Sequence, residues 1–280
     1  MKKRIVMGIA MMLLLSCSTK VHLERKNTLP EAGGEAKTKT KTKPRWKMVF
    51  SDEFKKDGSF DTRKWSFCSR QPASWSRYLT ASADYVYQKR GELILRMDNA
   101  AITGDEAPYH SAGVQSSGKF NIRYGKIEVR AKFKKGQGSW PAIWMMPEQP
   151  TAYGSWPKSG EIDIMEHVNG EEVLHQTIHS ARVTGSNGAS TATHRAKYNG
   201  NDYNTYSVIW NTSSIDFYVN NQFQYRYSKE ADSDNISWPF DKPFYIILNQ
   251  SGAAGWPGPA KTEDLPFIMQ VDWVRVYSQR

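Results

Sequence analysis

The chain has 280 residues, 39% of them hydrophobic and 24% charged, with a formal net charge of +10 and two cysteines. Two cysteines exclude a disulfide-stapled scaffold, and the ordinary apolar and charged fractions exclude a wholly disordered chain. The basic charge is concentrated: residues 1–47 carry twelve Lys/Arg and three Asp/Glu, so +9 of the +10 lies there, the remainder is near +1, and no nucleic-acid partner is expected.

Met1-Lys2-Lys3-Arg4 is a basic n-region, followed by an apolar run from Ile5 to Leu15. That run is too short to span a bilayer as a mature helix but suits a signal-peptide core. It ends in Leu14-Leu15-Ser16-Cys17, which resembles the bacterial lipoprotein processing box. The resemblance implies a signal peptide over 1–16 and lipidation of Cys17. The mature protein would then be exported and held on a membrane or cell surface, the outer membrane being the expected one. Residues 17–45 read as a disordered tether, with no apolar periodicity and the biased run Lys37-Thr38-Lys39-Thr40-Lys41-Thr42-Lys43-Pro44.

Residues 46–280 form one domain rich in short strands. Glu92–Arg96, Lys126–Phe133, Tyr206–Trp210, Ile215–Val219 and Gln270–Tyr277 each alternate with period two and carry many β-branched or aromatic residues. Lys89-Arg90-Gly91 and Asn220-Asn221 read as hairpin turns. No helical periodicity stands out after the signal peptide, so an all-β sandwich of two packed sheets is expected, one of them curved enough to be concave. Cys68 has no mature intramolecular partner and reads as a small buried apolar residue.

The chemistry concentrates in Ser159-Gly160-Glu161-Ile162-Asp163-Ile164-Met165-Glu166-His167. On a strand, Glu161 and Asp163 point from one face and Ile162 and Ile164 from the other. Glu166 is out of phase by one residue, and a β-bulge with Met165 as the extra residue would return it to the acidic face. Three carboxyls on one face repel, which raises the pKa of an acid catalyst. His175 and His179 are four apart, about 13 Å along a strand, too far to share one zinc ion. No nucleotide-binding glycine loop, P-loop or G-x-S-x-G elbow is present.

Gly138-Ser139-Trp140-Pro141-Ala142-Ile143-Trp144-Met145-Met146-Pro147, then Trp156-Pro157 and the acid stretch, together resemble glycoside hydrolase family 16 in its bulged E-x-D-x-x-E form. Phe50–Phe54, Ser111–Val114, Tyr124–Glu128 and Val271–Tyr277 extend the likeness over the whole domain. The resemblance implies a jelly-roll β-sandwich of two antiparallel sheets, with a concave cleft for a β-linked glycan. It also implies retaining endo-hydrolysis with Glu161 as nucleophile, Glu166 as acid/base and Asp163 orienting Glu161. A coenzyme is not expected, nor any oligomer beyond a monomer. Sugar contacts are expected from Trp140, Trp144 and Trp256, whose aromatic faces suit sugar rings, and from His179, Asn249 and Gln250. A structural calcium is expected at Glu53, Gly91 and Asp272, hard oxygen donors that suit that ion.

Substrate is read less sharply. The Trp-Pro-Ala-x-Trp and acid motifs are shared by laminarinase-like β-1,3-glucanases and by endo-β-galactosidases. Leu248-Asn249-Gln250-Ser251-Gly252-Ala253-Ala254-Gly255-Trp256 departs from the laminarinase-like pattern. With Gln176–Ser180 and Asp264–Phe267 it tilts the expectation toward galactosides. A non-catalytic glycan-binding surface protein and a purely structural surface protein are the competing readings, since fold alone does not fix function.

Overall fold

The computed structural model describes residues 45–280 apart from residue 201; the signal peptide and tether expectations, Cys17 included, lie outside the described residues. The described strands are β1 (Trp46–Asp52), β2 (Ser66–Phe67), β3 (Val86–Lys89), β4 (Glu92–Met97), β5 (Ala112–Gln115), β6 (Gly125–Phe133), β7 (Ser139–Pro147) and β8 (Glu161–Glu166). They continue with β9 (Val173–His179), β10 (Thr193–Lys197), β11 (Asn204–Trp210), β12 (Ser214–Val219), β13 (Gln222–Ser228), β14 (Phe244–Gly252) and β15 (Phe267–Gln279). Helix among the described residues is confined to two single turns of 3-10 type, at Ser74–Ser76 and Thr262–Asp264.

The strands form two antiparallel sheets, as expected. An eight-stranded sheet runs β13-β12-β11-β6-β15-β4-β3, with β1 also paired to β15, and a seven-stranded sheet runs β10-β9-β8-β7-β14-β5-β2. Neighbours in each sheet are often distant in sequence (β6 lies between β11 and β15), so the order of strands is set by tertiary packing rather than by hairpins alone. Both turns read from the sequence are two-residue hairpins: Arg90 and Gly91 join β3 to β4 with φ of 55° and 81°, and Asn220 and Asn221 join β12 to β13 with φ of 51° and 62°. Positive φ at both central residues matches the right-handed twist of the flanking strands.

Alternation decides what the sheets bury. Ile127, Val129, Ala131 and Phe133 of β6 face Ile143 and Met145 of β7, Ile162 and Ile164 of β8 and Leu248 of β14 in one core between the sheets. Each fully buried side chain of this kind contributes about 1.5–3 kcal/mol before entropy is charged against it. A second, smaller cluster lies on the other side of the seven-stranded sheet. Cys68, Leu79, Ala142, Trp144 and Ile247 pack there with Trp75, Met146 and Tyr245. Cys68 is buried and unpaired in it, as expected. This cluster covers the β7–β14 part of the outer face and leaves the part over β8 and β9 to polar groups.

Candidate active site

Strand β8 carries the acids at its two ends and middle. Gly160 admits it: with φ of +86° and an added Cβ 2.7 Å from Pro239 Cγ, no other residue enters the strand there without strain. The bulge is present. Against β9, Asp163 pairs with Thr177 and Glu166 with His175, so Ile164 and Met165 together oppose Gln176. Against β7, Ile143 pairs with Met165 and Trp144 with Asp163, which leaves Ile164 as the residue without a partner. The expected position of the extra residue thus moves from Met165 to Ile164 on that side. The physical reason is that both side chains are apolar and enter the core, so either can be absorbed there. Gln176 Nε2 donates to the displaced Ile164 carbonyl at 3.4 Å, which satisfies the group the ladder leaves open.

The consequence is that Glu161, Asp163 and Glu166 share the outer face of the sheet. Trp156 Nε1 donates to Glu161 Oε2 at 2.7 Å, and Trp140 Nε1 donates to Glu166 Oε1 at 3.0 Å. His179 Nε2 stands 3.3 Å from Asp163 Oδ2 and 3.9 Å from Glu161 Oε1, while its Nδ1 is held 3.0 Å from Thr184 Oγ1. Asp163 Oδ2 is nonetheless without an aligned hydrogen bond, so its contact with His179 is one of charge and proximity. Glu161, Asp163 and His179 present donor atoms within 4.8 Å of one another, a spacing a cation would fit. An imidazole damping the repulsion of two acids produces the same arrangement without one.

All three carboxyls are pushed toward the neutral form. Burial raises Glu161 to about 8, with the Asp163 charge adding to it. Burial and then the Glu161 charge raise Glu166 to about 7. Asp163 is raised well above the ordinary carboxylate range by burial and by the Glu166 charge. The indole donors and His179 pull the other way on both glutamates, because each favours the ionised form. The trio titrates as one coupled set near neutral pH; taken singly, Glu166 ionises before Glu161, so which acid attacks and which donates follows from their positions and not from that order.

The other expected site residues divide. Trp140 lies on the acid face and packs edge-on against Trp256 at 5.9 Å between ring centroids; Trp256 is 47% exposed and also meets the His175 ring at 4.8 Å. Trp144 is on the same face but only 7% exposed, covered edge-on by Trp75, and its indole donates to Asn249 Oδ1 at 2.7 Å. Asn249 is buried, with Nδ2 donating to Ser251 Oγ at 3.0 Å. Gln250 is buried as well and donates to Ser139 Oγ and the Ser251 carbonyl. Trp144 and Asn249 therefore brace the floor instead of presenting free groups to a ligand, because the second apolar cluster covers their part of the face, while Gln250 has the parity of Ile246 and Leu248 and lies on the side turned to the core between the sheets.

Two residues escaped the sequence reading. Trp156, 42% exposed, touches Glu161 directly and lies 5.4 Å from the His179 ring. Its signal was legible: an aromatic in the turn-rich Gly154-Ser155-Trp156-Pro157, the same context that singled out Trp256. Trp75, by contrast, reaches Trp144 from a distant loop, and nothing in the local sequence announces that.

Asp272 lies on β15 of the eight-stranded sheet, Gly91 in its β3–β4 turn and Glu53 just past the end of β1, away from the acids. Arg275 Nε and Nη2 each donate to Glu53 at 2.9 Å, and Arg130 pairs with Asp272. Two carboxylates already held by guanidinium groups fit a divalent cation poorly, and no chemistry is assigned to one.

Residues 75–275 match the family model described as glycosyl hydrolases family 16. A keratan-sulfate endo-1,4-beta-galactosidase of Sphingobacterium multivorum is 52% identical over 259 residues, which cover 90% of this chain and 61% of that protein. The chain thus spans about six-tenths of that relative's length. Among solved structures, the laminarinase from Rhodothermus marinus superposes with a TM-score of 0.78 at 31% identity, over 85% of this chain and 99% of that one. A structure from work on endo-acting O-glycanases of the human gut microbiota gives a TM-score of 0.73 at 32% identity, over 82% and 98%.

Proposed function

The chain belongs to glycosyl hydrolases family 16, and from that premise we propose that it is a retaining endo-β-glycosidase acting on internal β-galactosidic linkages of a glycan. The observation that carries the reaction is the bulge at Ile164, which sets two long-armed glutamates and an aspartate on one recessed face, each glutamate gripped by an indole N–H. In this reading Glu161, as carboxylate, attacks the anomeric carbon. The glycosidic C–O bond breaks as Glu166 gives its proton to the departing oxygen, leaving a glycosyl ester on Glu161. Glu166, now ionised, takes a proton from an incoming water, whose oxygen displaces Glu161 and restores the original anomeric configuration. Asp163 keeps the trio's charge balanced between the two steps, and Trp140 and Trp256 form an aromatic wall for sugar rings.

The 52% identity with a keratan-sulfate endo-1,4-beta-galactosidase supports the galactoside assignment. A laminarinase-type endo-β-1,3(4)-glucanase is the second reading, supported by the superposition on the Rhodothermus marinus laminarinase. Sizing the products from laminarin, mixed-linkage glucan, agarose-type galactan and poly-N-acetyllactosamine separates the two. Oligosaccharides from poly-N-acetyllactosamine alone support the galactoside reading, and release from laminarin alone overturns it. With Glu161→Gln, release of reducing ends from every polymer cut by the wild type is expected to fall by at least about a thousandfold. Wild-type rates in that variant would overturn Glu161 as the nucleophile, and no release by the wild type from any of the polymers would leave a glycan-binding protein as the better account. We also propose export and lipid anchoring at Cys17, supported by the basic n-region, the apolar core and the Leu14–Cys17 box. Metabolic palmitate labelling, lost in Cys17→Ala, is the check.

A further inference from the structure

Strand β10 is an edge of the seven-stranded sheet, and its pairing with β9 sets Thr193 opposite Thr177, Arg195 opposite His175 and Lys197 opposite Val173. His175 is in turn opposite Glu166, and Thr177 opposite Asp163. Rows of this kind share a face, so Thr193, Arg195 and Lys197 stand on the side of the sheet that carries the acids. The intervening residue Ala196 is buried in the core, which fixes that orientation. All three are exposed. Arg195 is two strand spacings, about 10 Å, from Glu166, close to the length of two sugar rings.

The Arg195 side chain is 64% exposed and touches Glu171 at 3.3 Å, a carboxylate that His175 also engages at 2.9 Å. Lys197 has no acid partner among the described residues. A face whose centre is three carboxyls therefore ends in a basic row in which Arg195 shares Glu171 with His175 and Lys197 is unpaired among the described residues. Edge lysines and arginines commonly serve to keep sheets from pairing edge to edge. Since Ala192 and Ala196 turn the other side of β10 into the core, charge there can only stand on the acid-bearing face; what goes beyond edge protection is its register with the acids, Arg195 opposite His175 and His175 opposite Glu166.

We propose that Arg195 and Lys197 form a subsite for an anionic substituent, a sulfate ester or a sugar carboxylate, on the glycan about two residues from the scissile bond. This rests on the endo-glycosidase reading and deepens it. The guanidinium reads the oxyanion by paired N–H donors while Lys197 adds a mobile point charge. Binding draws Arg195 off Glu171 and leaves Glu171 to His175, which borders the Trp256 ring.

The test compares sulfated poly-N-acetyllactosamine with the same polymer chemically desulfated, for the wild type and for Arg195→Ala/Lys197→Ala. The expected result is a wild-type preference for the sulfated polymer in kcat/KM that falls about tenfold in the double variant, with the desulfated rate unchanged. The preference should also shrink between 50 and 300 mM salt, since the row is exposed. A preference that survives the double substitution, or equal loss on both polymers, overturns the proposal. Binding of both polymers to Glu161→Gln separates this from the catalytic reading. Tighter binding of the sulfated form, lost when Arg195→Ala/Lys197→Ala is added, supports the subsite even where the wild type cuts neither polymer. Equal binding of the two sinks it.

Discussion

At the scale of single residues, the two indole donors are the most consequential contacts. An N–H aimed at a carboxylate oxygen favours the ionised form, and Trp156 does this for the glutamate proposed to attack, across 2.7 Å. Replacing Trp156 with Phe keeps the ring and removes the donor. The Glu161 pKa then rises further, so the acid limb of the kcat/KM profile, where the nucleophile becomes protonated, should move to higher pH. A drop of about tenfold at neutral pH is expected from one lost charge-assisted hydrogen bond. A pH–rate profile in which only the plateau falls and the limb stays put would show that Trp156 merely stacks on sugar. The identities of the three acids were legible from their period on a strand. The Trp156 contact was not, because it depends on how a loop folds back over the strand that follows it.

At the scale of elements, β8 shows how a local irregularity supplies chemistry. A regular pleat would turn Glu166 into the core beside Ile162; the bulge instead spends two apolar residues, Ile164 and Met165, against one Gln176. The need for a bulge could be read from parity alone. Which residue it displaced could not, because the two neighbouring strands register it differently and both candidate side chains are apolar. Entry into the strand is equally constrained. Gly160→Ala places a Cβ 2.7 Å from Pro239 at a φ of +86°, so a loss of about 1–3 kcal/mol is expected. Chemical denaturation would measure it as a lower midpoint at unchanged m. Activity should fall with it, since Glu161 follows directly; unaltered stability would mean that the 239–243 loop yields at no cost.

At the scale of the whole molecule, the acid face is a stability liability. A carboxyl whose pKa is raised by folding binds more protons folded than unfolded, so it contributes stability at low pH that is lost as pH rises. For Glu161 the window runs from its ordinary 4.5 up to about 8. Glu161→Gln removes that ionisation. The difference in melting temperature, variant minus wild type, should therefore grow between pH 4.5 and pH 8.5 by at least 2–4 °C, about 1 kcal/mol for a domain of this size. Scanning calorimetry at the two pH values checks it, and a constant difference would mean that the trio is already relaxed by solvent. The wild type keeps this cost because the same repulsion and burial hold a proton available for transfer.

The sequence by itself determined the all-β class, the hairpins at Arg90-Gly91 and Asn220-Asn221, the family and the acid trio. The class, the hairpins and the trio rest on short-range rules (alternation, turn chemistry and the parity of one strand), and the family on the resemblance carried by the Trp140–Trp144 and Glu161–Glu166 motifs. Only the tertiary structure decided that Trp144, Asn249 and Gln250 are covered, that Glu53 and Asp272 are held by arginines, and that β10 brings Arg195 and Lys197 into register with Glu166. Those outcomes depend on which distant segments meet on a sheet face, and the period of a strand carries no information about its neighbours.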